Sequence, residues 1–242
     1  MFSKNKEIEF FCRLPEVQKQ YPIVSALHIK SNWVKDTVQH YKELLSSVGK
    51  RESITSTVKC PGIKPIMTTG YTLRSWFDIT IRTTDDPDHF EYFINDKINK
   101  YLMMRDYNKK LVSWFSAKDK NHGVPMAKND LQSLIKIDTP WYVKIPKGYK
   151  LMIMPVPYAD ETAFSSVYGV LDSAHQYPLN VILKWHERPG EVFIPAGTPL
   201  CQLLPIKDTT IPIKIKEWST DNFNAEAEDD YLAMHSFIPK KK

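Results

Sequence analysis

The sequence predicts a mainly β protein, a barrel or sandwich core with peripheral helices and one insertion, on three observations. From Leu131 onward, short apolar runs follow one another, each closed by Pro, Gly or Asp. Their spacing of about ten residues is that of strands in an antiparallel barrel or sandwich. Proline is frequent at 17 residues while glycine is scarce at 8, a balance that suits many strand ends and edges and works against a helical bundle. Aromatic residues make up 12% of the chain, and they gather with β-branched residues in runs of strand length.

Taken in order, EIEFFCRL (Glu7 to Leu14) alternates as a strand does, and PEVQKQYPIVSALHIK reads as an irregular connection broken by Pro15 and Pro22. Trp33, Val34, Val38, Tyr41, Leu44, Leu45 and Val48 then recur at helical spacing, and Gly49 follows as a stop. This amphipathic helix is expected to pack on the core. After the proline and glycine turns of Cys60 to Gly70, one strand is expected from Tyr71 to Ile81. Residues 83–130 change character to charged and loop-like text, read as an insertion with one or two strands of its own. Beyond it come LQSLIKID, PWYVKI, YKLMIMPV, VYGVLDS, LNVILKW, EVFIP and CQLLPI, each a strand. The domain plan is therefore an N-terminal extension over 1–69, a β core over 70–216 and an acidic, lysine-ended tail over 217–242.

Composition excludes several classes. No segment approaches the roughly eighteen consecutive apolar residues of a membrane helix, and MFSKNKEIEFF lacks the apolar run of a signal peptide. No membrane association is expected. The three cysteines, Cys12, Cys60 and Cys201, lie far apart with no CxxC pair, so free thiols are expected in place of a zinc site. The formal charge of +5 is mild for 242 residues. Lys97, Lys100, Arg105, Lys109 and Lys110 do alternate with Tyr92, Tyr101, Tyr107, Trp114 and Phe115, which are stacking groups for a nucleic acid. Asp85, Asp86, Asp88, Glu91, Asp96 and Asp106 dilute that stripe, so nucleic acid is not an expected partner.

Three pieces, in order, resemble the dUTPase and dCTP deaminase superfamily. GYTLRSWFDITI (Gly70 to Ile81) is similar to that family's G-Y-D-L opening strand. IPKGYKLMIMPVPYAD (Ile145 to Asp160) is similar to the stretch in which a turn and a strand lead to P-R-S at the substrate phosphates. GVLDSAHQYPLNVILKW (Gly169 to Trp185), followed by FIPAGTPLCQLLPI (Phe193 to Ile206), looks like G-V-I-D-x-D-Y-R-G followed by the G-x-x-x-x-Q-L strand. The resemblance implies a dUTPase-like distorted barrel or jelly roll, and it implies trimers. It places Asp172 at the water-activating aspartate and His175 at the aromatic that packs the nucleoside.

The same resemblance shows what is lost. Val156 and Pro157 stand where arginine and serine bind phosphate, Thr72 replaces an aspartate, and Ala174 and Gln176 replace polar and glycine neighbours. A valine carries no charge and a proline no N–H, so that route to phosphate fails. The tail after residue 216 contains no glycine for a closing arm, and Glu226, Glu228, Asp229 and Asp230 repel a triphosphate. Ordinary dUTP hydrolysis is not expected. KCPGIKPIMTTGYTLRSWFDITI, TPWYVKIPKGYKLMIMP, GVLDSAHQYPLNV and IPAGTPLCQLLPIK also resemble a family of uncharacterised tailed-phage proteins, from about Glu9 to Lys216. That likeness implies viral origin, in host cytoplasm or virion, without implying a reaction.

These readings lead to a non-catalytic structural or binding module, self-associating and open to virion or host partners, without cofactor or metal. Asp172, His175, Arg74, Lys144 and Tyr158 are the candidates to line a ligand pocket, and Asp172 is the candidate catalytic group. Trp76, Trp141, Phe164 and Trp185 are the candidates for an apolar interface. One alternative is a nucleotide-binding or nucleotide-processing protein of altered specificity, centred on Asp172. Another is a jelly-roll iron oxygenase, with His89, Glu91 and His186 or His175 as a 2-His-1-carboxylate triad and Arg188 for an acid cosubstrate.

Overall fold

In the computed structural model the described residues are 7–29, 31–48, 57, 60–105, 107, 110–119 and 123–213. The most apolar runs pair first. Strands β7 (Ser133–Ile137) and β13 (Val181–Trp185) are antiparallel, with Val181 opposite Ile137 and Leu183 opposite Ile135. All four of these side chains are at most 1% exposed. On the outer side of β13 lies β10 (Phe164–Ser166), and beyond β7 lies β6 (Val112–Ser116), giving the order β10-β13-β7-β6. Phe164 stacks on Trp185 with ring centroids 5.8 Å apart.

A five-stranded sheet runs in the order β11 (Gly169–Leu171), β9 (Tyr149–Met154), β15 (Pro199–Lys207), β3 (Tyr71–Arg74) and β2 (Val24–Ser25). Gly70 enters β3 at φ +84°, and a Cβ there would sit 2.3 Å from the Leu203 carbonyl oxygen. Only glycine lets the two strands approach this closely. Two three-stranded sheets complete the body. One has β8 (Trp141–Lys144) between β1 (Glu9–Cys12) and β12 (Gln176–Pro178). The other has β4 (Ile79–Thr83) between β14 (Gly190–Ile194) and β5 (Phe90–Ile94). Every strand pair is antiparallel, so the mainly β reading holds.

The single strand expected from Tyr71 to Ile81 is two strands in two sheets. Trp76 and Phe77 are consecutive and both buried, at 3% and 1% exposure. The ladder of β3 ends at Arg74 and that of β4 begins at Ile79, and between them the chain turns. Ser75 N–H donates to the Thr198 carbonyl at 2.8 Å, Gly197 N–H to the Ser75 carbonyl at 2.7 Å, and Ser75 Oγ to the Phe77 carbonyl at 2.6 Å.

Residues 83–130 carry β5 and β6, which pair with β4 and β7, and also a helix that sequence reading passed over, α4 (Asp96–Met104). Asn95 caps it, its Oδ1 accepting from Lys97 N–H at 2.9 Å, and Leu102 is buried in the core. Two shorter helices, α1 (Pro15–Gln20) and α3 (Ile63–Thr68), occupy segments read as connections.

The amphipathic helix exists as α2 (Asn32–Val48). None of its described side chains is fully buried, and Trp33, Val34, Val38, Tyr41 and Leu44 are half-covered. At its first turn both Asp160 carboxylate oxygens accept from Asn32 N–H at 2.8 Å and Trp33 stacks on Tyr158 at 5.0 Å. The side chains of Leu45 and Val48, together with Gly49, lie outside the described residues, as does the 217–242 tail.

The four aromatics offered as an interface are core side chains. Trp76, Trp141, Phe164 and Trp185 are 3%, 4%, 7% and 1% exposed within the single chain, which leaves them no area to bury against a partner. No helix among the described residues is long and apolar enough to cross a membrane.

Candidate functional site

The loop after β9 shapes one cavity. Pro155 and Pro157 deny the chain two N–H groups, which ends the ladder after Met154. Tyr158 then turns the backbone at φ +54°, the left-handed region that a non-glycine residue seldom takes. The turn throws Val156 to Glu161 over a cavity of about 400 Å³. Thr72 on β3, Gln202 on β15, Pro199 and Met67 close it from the other sides. Gln202 is 1% exposed, and its Nε2 donates to the Ile66 and Thr69 carbonyls at 2.7 and 2.6 Å. That pair of bonds anchors the end of α3 against the cavity.

Thr72, Val156 and Pro157 are three of the positions at which the sequence departs from the dUTPase pattern, and all three line this one space. Among the described residues, no Lys, Arg or His lines it, whereas Asp160 and Glu161 do. The local field is therefore acidic, and the walls are mostly carbon. Such a space suits a small uncharged ligand and repels a phosphate.

The five predicted pocket residues fall in three places. Tyr158 lines the cavity. Asp172 and His175 lie at the other end of β9, and Lys144, on β8, stands opposite Gln176. Leu171 pairs with Leu151 at the start of that strand, so roughly 15 Å of extended chain separates Asp172 from the Pro155 loop. Arg74, at the end of β3, donates from Nη2 to the Pro22 carbonyl at 3.1 Å and does not line the cavity.

Around Asp172 the geometry is local. Its Oδ1 accepts from the Tyr177 hydroxyl at 2.6 Å and from Ala174 N–H at 2.8 Å. The Tyr177 hydrogen bond, then the Ala174 one, holds the Asp172 carboxyl below its ordinary value of 3.8, and the same bond pushes the Tyr177 phenol up. His175 meets the Tyr177 ring edge-on at 6.0 Å, and Lys144 lies opposite Gln176 with Glu9 at 3.9 Å. An exposed, doubly hydrogen-bonded aspartate at a strand end is a well-made turn.

The iron-oxygenase ligands do not assemble. Among the described residues, no group of three His, Cys, Asp or Glu side chains is placed to hold a metal ion, and both ring nitrogens of His186 are engaged elsewhere. Its Nδ1 lies 3.1 Å from Asp130 Oδ1, and its Nε2 lies 2.8 Å from Ser165 Oγ. Ser165 and His186 line a second cavity of about 240 Å³, which shares Val156, Ala159, Glu161 and Pro199 with the first. Nothing in the sequence marks this trio. The residues lie 56 and 21 positions from His186, in no motif; the pairing of β10 with β13 brings Ser165, and the bond from Leu131 N–H to the Trp185 carbonyl brings Asp130.

No family model matches the chain, and no curated protein does. Among solved structures it is similar to dUTPase from phage phi11 of Staphylococcus aureus, with 16% identity and a TM-score of 0.29 over 46% of this chain and 99% of that one. It is also similar to dUTPase of Staphylococcus bacteriophage 80alpha, with 15% identity and a TM-score of 0.28 over 46% of this chain and 100% of that one.

Proposed function

We propose that the chain is a phage binding module, built on a β core, that takes a small uncharged ligand in the cavity behind the Val156 to Glu161 loop. One observation carries this reading. The positions at which dUTPase-like sequences place phosphate-binding groups here line an apolar space with two carboxylates and, among the described residues, no cation. Hydrolysis of nucleoside triphosphates is not part of the proposal, because a triphosphate entering that space would meet the like charges of Asp160 and Glu161. Viral origin is supported by the collinear motifs between Glu9 and Lys216. Self-association is proposed through the outer face of the β11-β9-β15 sheet, where Val170, 54% exposed, lies beside half-buried Met152 and Leu204 in one row.

Tryptophan fluorescence tests the binding role, because Trp33 rests on Tyr158 at the cavity wall. Uncharged deoxynucleosides and small neutral aromatics are titrated in parallel with deoxynucleoside triphosphates. Saturable quenching is expected from members of the neutral set and none from triphosphates at millimolar concentration, and Trp33→Phe should remove the signal. Triphosphate turnover that Asp172→Asn abolishes would sink the reading.

A further inference from the structure

We infer that Ser165, His186 and Asp130 form a nucleophilic relay that cleaves a small acyl ester in the cavity of about 240 Å³. The inference extends the binding reading, since the relay sits behind the same loop. It begins from the direction of the hydrogen bonds. A carboxylate only accepts, so the contact of 3.1 Å requires His186 to carry its proton on Nδ1 and donate it to Asp130. In the neutral ring Nε2 is then an acceptor, and the Ser165 hydroxyl at 2.8 Å donates to it. That is the tautomer and polarity by which an imidazole activates a serine.

The three groups are held separately from one another. Asp130 is 8% exposed, and its Oδ2 accepts from Ala127 N–H at 3.2 Å. The next residue, Leu131, donates from N–H to the Trp185 carbonyl at 3.0 Å, which fixes Asp130 beside His186. His186 N–H donates to the Ala163 carbonyl at 2.6 Å, and Ser165 lies opposite Lys184 two residues back along β13. Backbone ladders thus set the geometry, and no side chain has to search for its partner.

The reaction space is present as well. Pro155, Val156, Phe164 and Leu200 give the cavity carbon walls of a size for a short acyl chain. The bonds from Val167 N–H to Ile182 and from His186 N–H to Ala163 make the odd-numbered residues of this segment the ones that bond to β13. Ser166 N–H therefore points off the open edge of the sheet, where it is a donor for an oxyanion formed next to it.

The step balances with water alone. Ser165 Oγ bonds to the acyl carbon as its proton passes to His186 Nε2. The bond from carbon to the alcohol oxygen then breaks, and His186 returns the proton to the leaving alkoxide. Water, deprotonated by the same nitrogen, releases the acid and restores the serine.

A fluorophosphonate probe on the full chain, read by intact mass and peptide mapping, tests the relay. One adduct per chain on Ser165 is expected, together with a burst of p-nitrophenol from p-nitrophenyl acetate. Ser165→Ala should lose both. His186→Gln should slow labelling by about 100-fold or more. No adduct on Ser165 in a chain that melts cooperatively overturns the relay, and so does labelling at an unchanged rate in His186→Gln. Neutral-ligand quenching of Trp33, followed on the same samples, separates the two failures. Quenching without labelling ends the relay and leaves the binding role, whereas labelling without quenching supports the relay and ends the binding role.

Discussion

Asp172 shows how one residue can be placed by sequence and still mislead about its work. Its location at the end of the GVLD run is where the strand ends, with Leu171 the last residue of β11. What the run of letters hides is Tyr177, five residues on, whose hydroxyl donates to the carboxylate. A carboxyl held below its ordinary 3.8 in the folded chain contributes stability that is present above that value and lost as pH falls through the lowered one. The melting temperature of the native chain should therefore exceed that of Asp172→Asn at neutral pH, and the gap should close as pH drops below 3.8. A gap that stays constant down to acid unfolding would mean that the bond does not form. Ser165 and His186 were illegible for the opposite reason, because neither has a local sequence context and their meeting depends on the register of two strands far apart in the chain.

At the scale of elements, alternation and apolar runs found the strands, while the breaks came from interactions that periodicity does not record. Trp76 and Phe77 fit a strand by residue type, yet the chain turns there, held by the Ser75 bonds to Thr198, Gly197 and Phe77. The α4 helix was missed because DKINKYLMM mixes polar and apolar residues inside charged text, and its signal is the Asn95 cap. The α2 helix was legible from its spacing, but its attachment was not: the acceptor for its first N–H is Asp160, 128 positions away. Removing that acceptor leaves the first turn unsatisfied. Asp160→Ala should cost about 1 kcal/mol in urea unfolding and should speed amide exchange in the first turns of α2, with exchange in β7 and β13 unchanged. Uniformly faster exchange would place Asp160 in the global fold and not in the helix.

Across the whole molecule, the core and the mainly β class were readable because the apolar runs are dense and their partners are other runs of the same kind. Surface roles were harder to read, since a tryptophan in a strand looks the same from sequence whether it faces the interior or a partner. Trp76, Trp141, Phe164 and Trp185 all proved interior, and the exposed apolar row is the plainer Val170, Met152 and Leu204. A charge in that row would leave the fold intact and disfavour burial against a second copy. Val170→Glu is expected to shift the chain toward the monomer in sedimentation equilibrium, with an unchanged circular dichroism spectrum. An unaltered mass distribution would remove this face from the proposal.

The short segment from Tyr158 to Asp160 does two jobs, because it walls a cavity and grips the first turn of α2. Thermodynamic reciprocity then applies: whatever free energy a ligand adds or removes at the grip, a change in the hold on Asn32 and Trp33 returns to the ligand's affinity. The wall of the cavity and the root of the helix are thus one coupled element.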